Sequence, residues 1–183
     1  MTAMARKPRE EHSPGAYHVY ARGNDRQRIF LTDADRRLYL ALLGKVTTVR
    51  RWRTMAFCLM DNHLHFLVET VSPNLGAGMG RLHGSYAQDY NRRHGRTGHL
   101  FERRYNAVPI ASDAQLQMVA RYIAVNPVEA GLCDRPEAWP WSQNDERPGT
   151  CPGLSGNDNG VQPTPLGDWE RIHSRRVSSP TRA

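Results

Sequence analysis

Three features of this 183-residue chain predict an α+β fold. It has short apolar runs with period-two alternation, longer segments with apolar residues at helical spacing, and two strand-like runs joined so closely that they must pair antiparallel. The length suits one core of ordinary size, since domains commonly run to about 100–200 residues. The first dozen residues are polar. Order is expected from Gly15, where Ala16-Tyr17-His18-Val19-Tyr20-Ala21 reads as a strand ending in the turn signal Gly23-Asn24-Asp25. Thr32 can cap a helix with acidic residues in its first turn, and Leu38, Leu42 and Val46 recur at helical spacing. A second strand runs from Arg51 to Leu59, with Trp52, Thr54, Ala56 and Cys58 on one face. The Asp61-Asn62 turn leads into a third strand, His63 to Glu69.

Residues 75–94 read as a helix despite several glycines, with Leu82, Tyr86 and Tyr90 on one stripe and Arg92-Arg93-His94 before a Gly95 stop. A loop to Glu102 follows, then a fourth strand over Arg103–Ile110. Ser112 caps a last helix that runs to about Asn126, the residue that Pro127 biases away from helical backbone. The order strand, helix, strand, strand, helix, strand, helix gives a ferredoxin-like antiparallel sheet with helices packed on one face. Trp139-Pro140-Trp141 is the last apolar anchor. The expected division is therefore a mobile N-terminus at 1–14, one domain at 15–141, and a polar, largely disordered tail at 142–183 with Trp169 as a local contact.

The charge is uneven along the chain. Residues 1–141 carry 20 basic and 13 acidic residues, a balance of +7, whereas 142–183 carry 5 of each. Of the 25 basic residues 23 are Arg, whose planar donor fork matches phosphate oxygens. Composition fits a polyanionic partner and fits equally well the plainer reading of a charged, soluble surface. Cys58, Cys133 and Cys151 are far apart with no C-x-x-C unit, which excludes a zinc ribbon and a disulfide-stapled secreted fold; Cys58 is expected to fill core space. No run of about 18 apolar residues exists, and no apolar stretch follows the early basic patch. No membrane partner and a cytoplasmic location are expected.

Period-two alternation puts His63, His65 and Leu67 on one face of the third strand and Leu64, Phe66 and Val68 on the other. The second set goes to the core, so the two imidazoles point away from it, side by side, as a metal-binding pair would. On its own an H-x-H pair is more often surface polarity than a ligand set.

The segment Asp61-Asn62-His63-Leu64-His65-Phe66-Leu67-Val68 resembles the HUH strand of the single-tyrosine transposases of bacterial insertion sequences, in particular the REP-associated branch. The resemblance extends over about 125 residues: Ala21-Arg22-Gly23-Asn24, Ile29-Phe30 with Asp33 and Asp35, Gly98-His99-Leu100-Phe101-Glu102-Arg103-Arg104-Tyr105, and Tyr122-Ile123-Ala124-Val125-Asn126-Pro127-Val128 with Gly131-Leu132. It implies that Tyr122 is the nucleophile. His63 and His65 would then bind a divalent metal, Mg²⁺ or Mn²⁺, with Asn126 as third ligand where related transposases use Gln. Tyr122 and Asn126, four apart, share one side of a helix. A helix tyrosine taken alone is usually a packing residue; Tyr86 and Tyr90 fit that role, and Tyr105 lies in the basic fourth strand.

The resemblance implies metal-dependent cleavage and joining of single-stranded or hairpin DNA through a 5′-phosphotyrosine. A homodimer and a nucleoid-associated location go with it. The metal would polarise the scissile phosphate, because a phenol with a pKa of about 10 is a poor nucleophile unaided. Candidate DNA contacts are Arg22, Arg26, Arg28, Arg103, Arg104 and Arg121, with Arg92, Arg93 and Arg96 as a clamp on a hairpin backbone. Two alternatives are a DNA-binding module whose chemistry has been repurposed and a His-metal hydrolase that uses activated water.

Overall fold

The computed structural model describes residues 12–144. Nearly all of the expected mobile N-terminus and disordered tail, Trp169 included, lies outside them. The elements run β1 (Gly15–Arg22), α1 (Asp33–Arg50), β2 (Arg53–Leu59), β3 (His63–Thr70), α2 (Leu75–Arg93), β4 (Asn106–Pro109), α3 (Asp113–Glu129) and β5 (Ser142–Asn144). Short 3-10 turns occupy Asn24–Arg26 and Pro136–Ala138. The sheet order is β4-β1-β3-β2-β5, every pair antiparallel. The fold is thus α+β, an antiparallel sheet with flanking helices.

The helices do not share one face. Tyr17, Val19, Leu64, Phe66 and Val68 join Tyr39, Leu43, Leu82, Tyr86 and Tyr90 in the main core beneath α1 and α2. Ala16, Cys58 and Leu67 look the other way and, with Met55, Met60 and Ile110, meet Val119 and Ile123 of α3. Burial on both faces gives the sheet two cores, and the histidine side of β3 is covered. An irregularity between Thr54 and Ala56 breaks the alternation of β2, so Trp52 enters the main core while Ala56 and Cys58 enter the second.

Local chemistry sets the boundaries. Thr32 and Asp35 form a reciprocal capping box on α1, the Asp35 amide donating to Thr32 Oγ1 (3.3 Å) and the Thr32 amide to Asp35 Oδ2 (2.9 Å). Ser112 caps α3 by accepting from the Gln115 amide (3.2 Å). α3 continues through Pro127 to Glu129, so Asn126 is helical. β4 is shorter than expected. The Glu102 amide donates to Arg22 O (3.0 Å) and Gly23 bridges Phe101, which ties the chain to the end of β1; Arg103 and Arg104 then bend outwards before pairing resumes at Asn106. β5 uses the first residues of the segment assigned to the tail and pairs with β2. Among the described residues no helix is long and apolar enough to cross a membrane.

One glycine of α2 is required by packing. A Cβ at Gly78 would lie 2.2 Å from Cζ2 of the buried Trp52 indole. Gly78→Ala should therefore destabilise by about 1–3 kcal/mol despite the better helix propensity of Ala, read as a lower urea midpoint; an unchanged midpoint would contradict the packing.

His83 on α2 is locked inside the main core. Its Nδ1 donates to Arg104 O (2.7 Å), its Nε2 accepts from the Tyr39 hydroxyl (3.0 Å), and its ring stacks on Phe101 with centroids 4.1 Å apart. Burial disfavours the imidazolium and pulls the pKa down to about 4, against the usual 6.5. The unfolded chain therefore takes up a proton between these values that the folded chain refuses. The stability from this group is complete above pH 6.5 and is lost as pH falls towards 4, by about 3 kcal/mol in all. His83→Gln should flatten the pH dependence of the urea midpoint in this window; the same slope in the variant would contradict it.

Candidate active site

The β1–β3 register places Arg22 opposite His63, Tyr20 opposite His65 and His18 opposite Leu67, all with side chains on the α3 side. On the other edge of β3, Cys58 of β2 lies opposite His65. His65 is only 6% exposed and His18 only 1%, so these imidazoles do not face solvent as strand alternation alone suggested; α3 lies over them.

The rings form one cluster, with His18 and His65 buried and the other three partly exposed. His18 Nε2 and His65 Nδ1 are 3.0 Å apart, with the rings stacked at an interplanar angle of 22°. Tyr122 of α3 stands edge-on to His65, with centroids 5.5 Å apart at 87°, and edge-on to His18 at 5.9 Å. Tyr20 lies 6.0 Å from His65. His63 stands perpendicular to His65 with centroids 5.2 Å apart.

One turn beyond Tyr122, the Asn126 amide Nδ2 donates back to Tyr122 O (2.7 Å), and the same side chain is near enough to act on His63. His63 Nδ1 also meets Asn62 Oδ1 at 2.7 Å, while Asn62 Nδ2 donates to Arg26 O (3.2 Å). Burial first, and the Arg22 charge second, lower the His63 pKa to about 4; the polar Asn126 side chain opposes them. His63 is therefore neutral at physiological pH. The structure thus gathers Tyr122, His63, His65 and Asn126 from two elements about 60 residues apart.

Among the described residues no group of three His, Cys, Asp or Glu side chains is gathered around one point. The donor set here is two imidazoles and an amide. Cys58 is not a competing nucleophile, because burial first and the Cys133 charge second push its thiol up to about 12.

The arginines divide. Arg22 acts on His63 directly. Arg121, next to Tyr122, is exposed, as are Arg103 and Arg104 in the bends before β4 and Arg26 in left-handed backbone at φ 55°. Arg28 pairs with Asp61 at 2.8 Å. The arginines expected as a hairpin clamp each have a protein partner: Arg92 pairs with Asp89, Arg93 with Asp35 at 3.1 Å, and Arg96 bonds Gln27. Sequence reasoning missed His18, Tyr20 and Asn62 as site residues. For His18 and Tyr20 the signal was the parity of β1, visible only once β1 is known to lie beside β3.

A family model described as "Transposase IS200 like" matches residues 12–126. The chain belongs to the IS200-like transposase family. The match spans His63, His65, Tyr122 and Asn126. Among solved structures, a REP-associated tyrosine transposase bound to a REP hairpin superposes with a TM-score of 0.61 at 15% identity, covering 87% of this chain and 98% of that one. A putative transposase from Deinococcus radiodurans R1 is similar at 17% identity with a TM-score of 0.44, covering 65% and 95%. No curated protein matches the sequence. At these identities the structural likeness is one of fold. The IS200-like transposase is thus recognised by its sequence match, and the geometry stands beside it as an independent description of the same residues.

Proposed function

We propose that this IS200-like transposase cleaves and rejoins single-stranded DNA at hairpin-forming elements through a 5′-phosphotyrosine on Tyr122. His63, His65 and Asn126 would hold Mg²⁺ or Mn²⁺. The observation that carries the reading is Tyr122 packed edge-on against His65, with Asn126 one turn later on the same helix and His63 perpendicular to His65. The donor chemistry fits a cation. Asn62 commits Nδ2 to Arg26 O and turns Oδ1 to His63 Nδ1. Two imidazoles and the Asn126 side-chain amide are donors of the kind a divalent cation takes, and these residues would hold it.

Bound metal would supply polarisation of the scissile phosphate. The protein supplies the rest. α3 holds the phenol beside the phosphate position, as in-line attack requires. The Tyr122 oxygen bonds to phosphorus, the bond to the 3′ oxygen breaks, the phenol gives up its proton and the departing oxygen takes one as a 3′-hydroxyl. The covalent link conserves the phosphodiester energy, so a later 3′-hydroxyl can displace the tyrosine and join strands. Arg22, Arg26, Arg103, Arg104 and Arg121 would contact the DNA backbone. Membership of the REP-associated branch, a homodimer and a cytoplasmic, nucleoid-associated location belong to the same proposal, supported by the fold shared with a hairpin-bound transposase.

The test is incubation of the full chain with an end-labelled hairpin bearing a single-stranded flank and Mn²⁺, followed by a denaturing gel. A protein–DNA adduct is expected. Retention without cleavage across a broad set of hairpins would favour a repurposed DNA-binding module, and cleavage with no adduct would favour a hydrolase. Binding should also weaken with salt, with a log–log slope of about 0.7 per phosphate contact on a single strand. Removing residues 145–183, which carry equal numbers of acidic and basic residues, should leave that slope unchanged in an anisotropy titration.

A further inference from the structure

We infer that His18 and Asn62 are positioning residues that hold His65 and His63 as Nδ1–H tautomers, each with Nε2 turned to the metal position. For His63 the assignment follows from the hydrogen bonds alone; for His65 it rests on the metal reading. A histidine can ligate through either ring nitrogen, and the hydrogen bond made by the other nitrogen decides which. Here both Nδ1 atoms meet protein partners, His65 at 3.0 Å from His18 Nε2 and His63 at 2.7 Å from Asn62 Oδ1.

For His63 the assignment is forced by the partner. Asn62 gives its Nδ2 hydrogen to Arg26 O, so the atom facing His63 is an acceptor and the proton must sit on Nδ1. Its backbone carbonyl accepts from the Gly23 amide (2.8 Å), which fixes the residue on a second side. For His65 the bond is between two ring nitrogens, and either could donate. If His18 donated, the single proton of neutral His65 would occupy Nε2 and block that atom as a ligand. If His65 donates, Nε2 carries the lone pair, and His18 keeps its own proton on Nδ1. Only the second arrangement allows ligation through Nε2 with the buried His18–His65 bond kept.

His18 is suited to the task by its place. It lies on the strand next to β3, diagonal to His65 across the β1–β3 ladder, and is 1% exposed. A strand holds a side chain more rigidly than a loop does. Tyr122 rests edge-on against both rings, so a change in the His18–His65 pair would also reach the proposed nucleophile.

The experiment reads the tautomers directly. Two-bond ¹H–¹⁵N spectra of the metal-free protein at neutral pH should show the Nδ1–H pattern for both His63 and His65. Asn62→Leu should switch His63 and leave His65 unchanged; His18→Leu should do the reverse. His18→Gln, whose side-chain oxygen reaches the place of Nε2 as an acceptor, should restore the wild-type His65 pattern. Mn²⁺ titration should show about 10- to 100-fold weaker binding for each Leu variant and recovery of most of that loss in His18→Gln. An Nε2–H pattern for His65 in the wild type, or Mn²⁺ affinity unchanged in both Leu variants, would overturn the inference. If His18→Leu does not fold, the wild-type spectrum and His18→Gln still decide. If the wild type binds no Mn²⁺ while both rings are Nδ1–H, the metal reading fails and the tautomer assignment stands.

Discussion

Tyr122→Phe should abolish the protein–DNA adduct and strand cleavage, a loss on the order of 10⁴-fold or more, because the attacking atom is gone while the ring remains. Folding, Mn²⁺ binding and DNA affinity should stay close to wild type, since Tyr122 is half-buried and keeps its edge-on contacts with His65 and His18 as Phe. Peptide mapping of the adduct decides the matter. Tyr86 and Tyr90 are fully buried, and their hydroxyls donate to Ile29 O and Arg28 O. Burial also raises the Tyr86 pKa far above that of a free phenol. Tyr20 is the rival to watch, because it lies 6.0 Å from His65. An adduct on Tyr20, or undiminished adduct from Tyr122→Phe, would overturn the assignment.

Replacing both His63 and His65 by Ala should remove Mn²⁺ binding in calorimetry and cleavage on a gel. The two sites should differ in stability cost. His65→Ala takes away the 3.0 Å bond to His18 and opens space under α3, at a cost of about 2–3 kcal/mol. His63 sits nearer the rim, so His63→Ala should cost less. Equal Mn²⁺ binding by the wild type and the double variant would end the ligand assignment. Strand alternation alone suggested that both histidines were outward and cheap to remove; α3 makes that untrue for His65.

The elements were legible because their signals are local. The Thr32 cap, the Ser112 cap, the alternation of β3 and the Leu82, Tyr86 and Tyr90 stripe each sit within a few residues, and each is found as expected. What could not be read depends on contacts between distant segments. The second core is spread over Ala16, Met55, Cys58, Leu67, Ile110, Val119 and Ile123, with too few apolar residues in any one run to announce a second buried face. The irregularity in β2 shifts Trp52 away from Ala56, and nothing in the local pattern marks it. Asn126 looked poorly placed because of Pro127, but α3 runs through the proline to Glu129 and Asn126 stays helical. His18 read simply as one more residue of a strand, since its partner lies 47 residues away.

The segment after α3 bears on how the chain can be divided. Trp139 Nε1 donates to Leu59 O (3.2 Å), and the Leu59 amide donates to Trp141 O (2.9 Å). The buried Arg36 guanidinium lies 5.6 Å from the Trp139 ring and 5.7 Å from that of Trp141 while pairing with Asp61 in the turn before His63. These two indoles wall in a charge that steadies the turn leading to the histidines. The family match stops at residue 126, but a fragment cut there would lose β5, both indoles and the cover over Arg36. A fragment ending at 126 should open first around the Asp61-Asn62 turn, the point from which the histidine strand is hung.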